Sequence, residues 1–190
     1  MIDGEKIYLR LIEQSDTEKI VAWRNQLFVR KQFIYREDFT KESHEQWLET
    51  MIAVGKAIQF IIHLKANGQA IGSVYLREID VKNQKAEYGI FIGEEQYLSK
   101  GIGTEVAKLM IDYAFDRMQL HKVMLRVLAT NKRAIRSYKK AGFVQEGYFK
   151  DDVRISGKYE DIVYMGIVSP QAPAPRQRRR YGTAACSHQR

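Results

Sequence analysis

The 190-residue chain has the length of one domain, and 45% of its residues are hydrophobic, which is enough to form a buried core. No apolar run has the length of a membrane span, and the N-terminus lacks the basic and then apolar layout of a signal peptide, so we expect a cytoplasmic protein without a membrane partner. The formal charge of +8 falls to +3 once the five arginines after Ser169 are set aside.

The composition changes sharply near Ser169. All three prolines and the only cysteine, Cys186, fall in residues 170–190, where there is no acid. We therefore predict one domain over residues 1–169 and a disordered basic tail over residues 170–190. The tail is either a binding arm for acidic partners or an extension foreign to the domain, and its alanine, proline and arginine content favours the second. Without a cysteine, the domain can use neither disulfides nor thiol catalysis.

Periodicity and turn signals predict the elements of the first half of the chain. In order, they are a strand over 7–12, a helix from a cap at Ser15 or Asp16 to about Asn25, an undecided region over 27–39, a helix from Thr40 to near Gly55, and strands over 57–64, 70–76 and 85–92. Asn67 and Gly68 form the turn of a hairpin between the first two of these three strands.

The second half begins with a glycine-bearing loop over residues 93–104. The elements predicted after it are a helix over 104–118 capped by Thr104, a strand over 122–128, a helix over 132–141 between Asn131 and Gly142, and a hairpin of strands 144–154 and 159–168 turning at Ser156 and Gly157. This order indicates an α/β fold of the α+β kind, with a mixed, mostly antiparallel sheet of about seven strands and helices on both faces.

The glycine loop has the features of an anion site. Gly101 and Gly103 allow the backbone to approach a phosphate closely, and the amides that open the next helix are unpaired donors. Lys100 adds a positive charge. Taken alone, the pattern fits an ordinary turn equally well, because the third glycine of a dinucleotide fingerprint is absent.

Two motifs together resemble the GNAT N-acetyltransferases, which transfer acetyl from acetyl-CoA to an amine. The first is Leu98-Ser99-Lys100-Gly101-Ile102-Gly103-Thr104, and the second runs from Asn131 through Ala134 and Tyr138 to Gly142-Phe143. The resemblance covers residues 5 to about 168 and implies the GNAT fold, acetyl-CoA as cofactor and direct attack by a primary amine in a ternary complex. Leu98 departs from the family, which has Gln or Arg there, so the loop amides would carry the phosphate binding.

The resemblance also implies a cofactor site and a general acid. The cofactor-binding residues are Phe91, Ile92, Gly93, Leu98, Ser99, Lys100, Gly101, Ile102, Gly103, Thr104, Asn131, Ala134 and Tyr138. Asn131, Ala134 and Tyr138 share one helix stripe; Asn131 would bind the pantetheine arm and Tyr138 would protonate the departing thiolate. Read without the family, Tyr138 is a core aromatic and Asn131 only a cap. The family's two strands beside the cofactor splay apart, which the resemblance implies here.

An amine must lose a proton before it attacks. Glu87 lies on the strand before the loop, on the face of Gly89, Phe91 and Gly93, and is the candidate base, directly or through water. The alternative is a solvated strand residue. The histidines of the domain are scattered without metal-ligand spacing, so we predict no metal.

The acceptor amine is less well specified. The candidate substrate-binding residues are Trp23, Arg24, Asn25 and Glu87. Trp23-Arg24-Asn25, with His44 and Trp47 of the second helix, resembles the RimJ/RimL-like branch and its enzymes for amino sugar nucleotides, whereas Ala86-Glu87-Tyr88 and residues 155–161 resemble spermidine acetyltransferases. The charged residues that would suit a nucleotide are Arg24, Arg30, Lys31 and Arg36, and those that would suit a polyamine are Glu37, Asp38, Glu42 and Glu45.

We predict an N-acetyltransferase for an amino sugar nucleotide or a similar small amine. The alternatives are a polyamine or a protein N-terminus as acceptor, or a CoA-binding sensor without activity. A nucleic-acid partner is disfavoured because aromatic and basic residues are not interleaved. The family makes a homodimer plausible, through the last strands or the first helices.

Overall fold

The computed structural model describes residues 1–170, so the predicted tail beyond Pro170 lies outside the described residues. The elements are β1 (Ile2–Asp3), β2 (Ile7–Leu11), α1 (Thr17–Asn25), α2 (Leu27–Arg30), α3 (Lys41–Trp47), β3 (Ile58–Leu64), β4 (Ala70–Asp80), β5 (Lys85–Ile92), α4 (Ile102–Asp112), β6 (Lys122–Leu128), α5 (Lys132–Ala141), β7 (Val144–Ile155) and β8 (Lys158–Val168). Helices α3 and α4 each continue into one π-helical turn, at Leu48–Ile52 and Tyr113–Arg117.

One mixed sheet runs through the molecule in the order β1-β2-β3-β4-β5-β6-β8-β7. Every neighbouring pair is antiparallel except β5 and β6, which are parallel. The β5–β6 register ends at the pair of Glu87 and Met124, although both strands continue to Ile92 and Leu128. The two strands therefore part in the middle of the sheet, as the family resemblance implies.

Helices cover both faces of this sheet. On one face, α4 places Val106, Met110 and other residues three or four positions apart in the main core, where they are completely buried. On the other face, Ile20 and Trp23 of α1 pack with Phe91 of β5 in a second cluster. Burying each large side chain stabilises the fold by about 1.5–3 kcal/mol. The predicted mixed sheet with helices on both faces is confirmed.

Several element boundaries differ from the predictions. The two-residue β1 makes eight strands rather than about seven, α2 lies in the undecided region, and β4 continues past a bulge to Asp80. The prediction that Thr104 caps α4 is wrong: the helix begins two residues earlier, because Gly101 (φ 84°) takes the left-handed conformation and is itself the N-cap. At α1, Asp16 is the N-cap, but its carboxylate bonds the amide of Glu13 instead of the helix.

The turn and cap predictions at three other places are confirmed. Thr40 caps α3 by accepting from the amide of Ser43. Gly142 ends α5 in the left-handed region (φ 107°). Ser156 and Gly157 join β7 to β8 as a two-residue turn with positive φ at both positions. Within residues 1–170, no helix is long and apolar enough to cross a membrane.

Candidate active site

A cleft of about 360 Å³ opens where β5 and β6 part. Its walls are the ends of these strands, the glycine loop, α5 and the segment from Phe28 to Tyr35. The sequence-predicted residues that line it are Glu87, Phe91, Ile92, Leu98, Ser99, Gly101, Gly103, Thr104, Asn131, Ala134 and Tyr138. The structure thus brings most of the predicted catalytic and cofactor residues together around one cavity.

The glycine loop presents open backbone donors to this cleft. The amides of Thr104 and Glu105 donate to the carbonyl of Gly101, so the amides of Ile102 and Gly103 are the open donors of the helix N-terminus. Thr104 Oγ1 lies 2.9 Å from Ser137 Oγ, which joins the loop to α5. An anion at this end meets directed N–H groups and the favourable end of the helix dipole.

Three predicted cofactor residues do not line the cleft. Ile102 is buried in the main core and offers only its amide, and Lys100 extends over the ring of Tyr97, with Nζ 5.5 Å from the ring centroid. Gly93 is packed directly under the indole of Trp23, which leaves no room for a Cβ atom. A contact between these three residues and the cofactor stays a prediction.

Asn131 and Tyr138 place polar groups at the cleft from α5. Asn131 caps the helix, with Oδ1 accepting from the amide of Ala134 at 3.1 Å, while its Nδ2 has no acceptor among residues 1–170. The ring of Tyr138 packs edge-to-face against Tyr88 and Phe143, each with centroids 6.0 Å away. Asn131 is thus a helix cap with a spare donor, and Tyr138 is a buried aromatic residue that lines the cleft, while their contacts with the cofactor stay predictions.

Burial sets the protonation of Tyr138. Its removal from water raises the pKa of the Tyr138 hydroxyl, because the charged phenolate is disfavoured there. The hydroxyl has no hydrogen-bond partner among the described residues, so it is free to donate to a group bound in the cleft. The raised pKa keeps the Tyr138 hydroxyl protonated near neutral pH, which is the form that a general acid requires.

Glu87 is buried between two arginines. It is only 4% exposed, accepts from Arg77 Nη2 at 2.8 Å, and accepts from Arg126 Nε and Nη2 at 3.3 and 3.2 Å. Burial lowers the pKa of Arg126, but the hydrogen bond and the charge of Glu87 raise it by more, so the net shift of the pKa is upward. The reading of Glu87 as a solvated strand residue is wrong; it is a buried, ion-paired carboxylate at the cleft.

The predicted substrate-binding residues of α1 lie behind the cleft and do not line it. Trp23 donates from Nε1 to Glu94 at 3.0 Å, and Asn25 bonds the backbone amide and carbonyl of Phe39. The guanidinium of Arg24 stacks 3.4 Å from the ring centroid of Phe33, and burial lowers its pKa. Their contact with substrate stays a prediction, and the geometry gives them the role of supporting the cleft wall.

Sequence reasoning missed Arg77, Arg126 and Tyr75, all of which line the cleft. One signal could have found Arg126, which is a lone charge inside an apolar strand. Arg77 is placed beside Glu87 by the β4–β5 register, in which the two residues stand directly opposite each other. The ring of Tyr75 lies over Gly89, which has no side chain to exclude it. None of the charged residues proposed for acceptor binding, Arg24, Arg30, Lys31, Arg36, Glu37, Asp38, Glu42 and Glu45, lies on the cleft lining.

A metal centre has no counterpart in the described part of the chain. Within residues 1–170, no three His, Cys, Asp or Glu side chains are grouped so as to hold a metal ion. Of the histidines, His44 is buried against Thr17, and His63 stacks on the ring of Tyr8.

Comparison with known proteins gives one family. The model of the acetyltransferase (GNAT) domain matches residues 6–144. The spermidine N(1)-acetyltransferase of Escherichia coli K12 is 30% identical over 177 residues, which cover 90% of each chain, and a Bacillus subtilis protein named as a probable N-acetyltransferase is 29% identical over 179 residues, which cover 90% of this chain and 98% of the relative. The spermidine N-acetyltransferase of Vibrio cholerae, solved with CoA and spermine, superposes with a TM-score of 0.79 at 27% identity, covering 86% of this chain and 95% of that one.

Proposed function

The chain belongs to the GNAT family of acetyl-CoA-dependent N-acetyltransferases, and from this premise we propose that it acetylates a primary amine by direct attack within a ternary complex. The observation that carries the proposal is the parting of β5 and β6 at Glu87 and Met124, with the open loop amides on one side and Tyr138 on the other. One cleft then holds both reactants, and no cysteine in the described residues offers a covalent relay.

The cleft fits acetyl-CoA. The amides of Ile102 and Gly103 would hold the pyrophosphate, and the cationic side chains of α5 that line the cleft, Arg133, Arg136 and Lys140, would balance its charge. Asn131 Nδ2 and the backbone groups of β5 beyond Glu87 that face away from β4, where β6 no longer pairs with the strand, would hold the pantetheine arm. When bound, acetyl-CoA supplies an activated thioester; the amine attacks its carbonyl carbon, and Tyr138 gives its proton to the departing thiolate.

Glu87 is the proposed proton acceptor. Among the described residues, it is the only acidic side chain on the cleft lining, and it faces the space beside Tyr75 and Arg126. Arg77 and Arg126 both donate to its carboxylate, so the ammonium proton must move to an oxygen that is already hydrogen-bonded, directly or through water.

The proposed acceptor is an amino sugar nucleotide or a similar small amine. The cleft supports it because its charged lining is mostly cationic, and the acids that would suit a polyamine point elsewhere: Asp38 pairs with Arg30 at 2.7 Å, for example. The second candidate is a polyamine, which is favoured by the likeness to the spermidine acetyltransferases of Escherichia coli and Vibrio cholerae.

Self-association is a further part of the proposal. A solved form of the Vibrio cholerae relative is dodecameric. In this chain, the edge strand β7 and its hairpin partner β8 expose the apolar residues Val144, Tyr148, Phe149 and Tyr159. Large exposed side chains on a sheet edge suit contact between copies. Light scattering on the full chain would give a mass above 22.1 kDa, and a mass of one chain would refute self-association.

The direct test is release of CoA thiol from acetyl-CoA over a panel of amino sugar nucleotides, spermidine and peptides with free N-termini. We expect the highest kcat/KM with an amino sugar nucleotide or a small amine of similar charge. Activity on spermidine alone would replace the first candidate by the second. Acetyl-CoA binding without release on any amine would identify a sensor rather than an enzyme.

A further inference from the structure

We propose, resting on the acetyl-transfer function above, that the acceptor amine carries a carboxylate or phosphate group and that Arg77 and Arg126 bind this group. Both arginines line the end of the cleft that holds Glu87, away from the glycine loop. The substrate class would then be acidic amines, which is opposite in charge to the polyamine named for the Vibrio cholerae relative.

The charge of the lining is the first support. Five cationic side chains of the described residues line the cleft, namely Arg77, Arg126, Arg133, Arg136 and Lys140, against the single acid Glu87. The last three belong to α5, which is joined to the glycine loop through Ser137 and Thr104 and so flanks the cofactor phosphates. At the other end, two guanidinium groups face one carboxylate, which leaves a net positive charge for the acceptor to meet.

The spare donors of the two arginines are the second support. Arg126 donates to Glu87 from Nε and Nη2, and Arg77 donates to it from Nη2. The buried Nε of Arg77 has no acceptor among residues 1–170. A buried donor without a partner is costly, and a guanidinium fork matches the two oxygens of a carboxylate or phosphate. The hydrogen bonds of Glu87 hold both guanidinium groups in place, so these groups are oriented before a ligand binds.

A third cation stands behind this pair. The guanidinium of Arg24 is sandwiched near Phe33 and Phe39, and its buried Nη1 has no partner among the described residues. Burial, and then the charge of Arg77, lower the pKa of Arg24, whereas the neighbouring Tyr75 acts in the opposite direction. The part of the protein around Arg24, Arg77 and Arg126 therefore carries an excess of positive charge, and a bound polycation would increase the electrostatic repulsion there.

Matched acceptor pairs test the inference. The phosphate pair is glucosamine 6-phosphate and glucosamine, the carboxylate pair is L-phenylalanine and L-phenylalaninamide, and spermidine is the polycation. We expect kcat/KM for the acidic member of at least one pair to exceed that of its neutral partner by about tenfold or more, and spermidine to be the poorest acceptor. Equal values within both pairs, or a preference for spermidine, would overturn the inference while leaving an acetyltransferase. No thiol release on any amine would instead defeat the proposed function.

Substitution of Arg126 assigns the effect to its residue. Arg126→Gln should reduce kcat/KM for the preferred acidic acceptor by about ten- to hundredfold, mainly through KM, and change that of the neutral partner by less than about threefold. Arg126→Lys should retain part of the preference, because the charge stays but the fork is lost. Arg154→Gln, an exposed residue of β7 outside the cleft, removes the same charge and should leave the preference intact.

Glu87→Gln removes the proposed base and also the carboxylate that holds Arg77 and Arg126. It should lower kcat by about 100-fold for acidic and neutral acceptors alike, because both need a proton acceptor. Unchanged acetyl-CoA affinity would show that each variant is folded. Loss of activity on both members of a pair in Arg126→Gln, with acetyl-CoA affinity unchanged, would contradict anion binding by this arginine.

Discussion

The two ends of the cleft present different chemical groups to a ligand. The proposed cofactor end combines backbone amides at Ile102 and Gly103, a helix N-terminus, one capping asparagine and the cationic side chains of α5, all within short stretches of sequence. The acceptor end consists of side chains from three strands, in which Arg77 of β4 and Arg126 of β6 meet over Glu87 of β5. Backbone groups suit a ligand that all members of a family share, whereas side chains can change from one member to the next.

This contrast explains why similarity to spermidine acetyltransferases supports the same cofactor for this chain but does not identify its acceptor amine. The relatives cover nearly the whole chain at about 30% identity. At that level of identity the fold is shared, while the side chains that set the charge of an acceptor site can differ between family members. The predictions below act on one end at a time.

The largest effect is expected at the junction of the two ends. Tyr138→Phe keeps the edge-to-face packing with Tyr88 and Phe143 but removes the proton donor. We expect kcat to fall by about 10²- to 10⁴-fold, with the Kd of acetyl-CoA within about threefold of wild type. Steady-state kinetics and calorimetric titration measure the two quantities. An unchanged kcat would remove Tyr138 from the mechanism.

A matched pair of glycine substitutions should separate the ends. Gly101→Ala forces an alanine to φ 84° at the start of α4, which costs about 1–2 kcal/mol and should raise KM for acetyl-CoA by about tenfold. Gly89→Ala places a methyl group against the ring of Tyr75 and should raise KM for the acceptor by a similar factor. If each variant raised both KM values equally, the two ends would not be separate sites.

The smallest effect concerns helices α1 and α3, which His44 and Thr17 join. His44 of α3 is 1% exposed, its Nδ1 lies 3.0 Å from Thr17 Oγ1, and its Nε2 has no partner among the described residues. Burial lowers the pKa of His44, and the charge of Asp16 opposes this only in part. Above a pH of about 6.5 the imidazole is neutral in both the native and the unfolded state. Below that pH, the unfolded chain takes up a proton that the native state resists, so the free energy of unfolding decreases as the pH is lowered.

Thermal unfolding between pH 7.5 and 5 checks this expectation. The wild-type Tm should fall more steeply than that of His44→Gln, which keeps a hydrogen-bonding group beside Thr17 without the titration. Hydrogen exchange should report earlier opening in α1 and α3 than in α4 and α5. Parallel Tm curves for the two proteins would show that His44 does not govern the acid response.

Local sequence predicts what local geometry determines. The strands other than the two-residue β1, the hairpin at Ser156 and Gly157, the left-handed end of α5 and the loop before α4 depend on neighbouring residues, and they are predicted correctly. The start of α4 is missed because Gly101 and Thr104 are both competent caps, and only the packed helix decides between them. The Arg77–Glu87–Arg126 cluster joins residues up to 49 positions apart through strand register, and a single sequence does not give that register.

The central claim is that one cleft holds acetyl-CoA and the amine at the same time. Initial rates measured over a grid of both concentrations, with the best acceptor of the panel, test it most directly. Direct transfer in a ternary complex predicts double-reciprocal lines that intersect. Parallel lines would indicate an acetylated enzyme intermediate and would contradict the account.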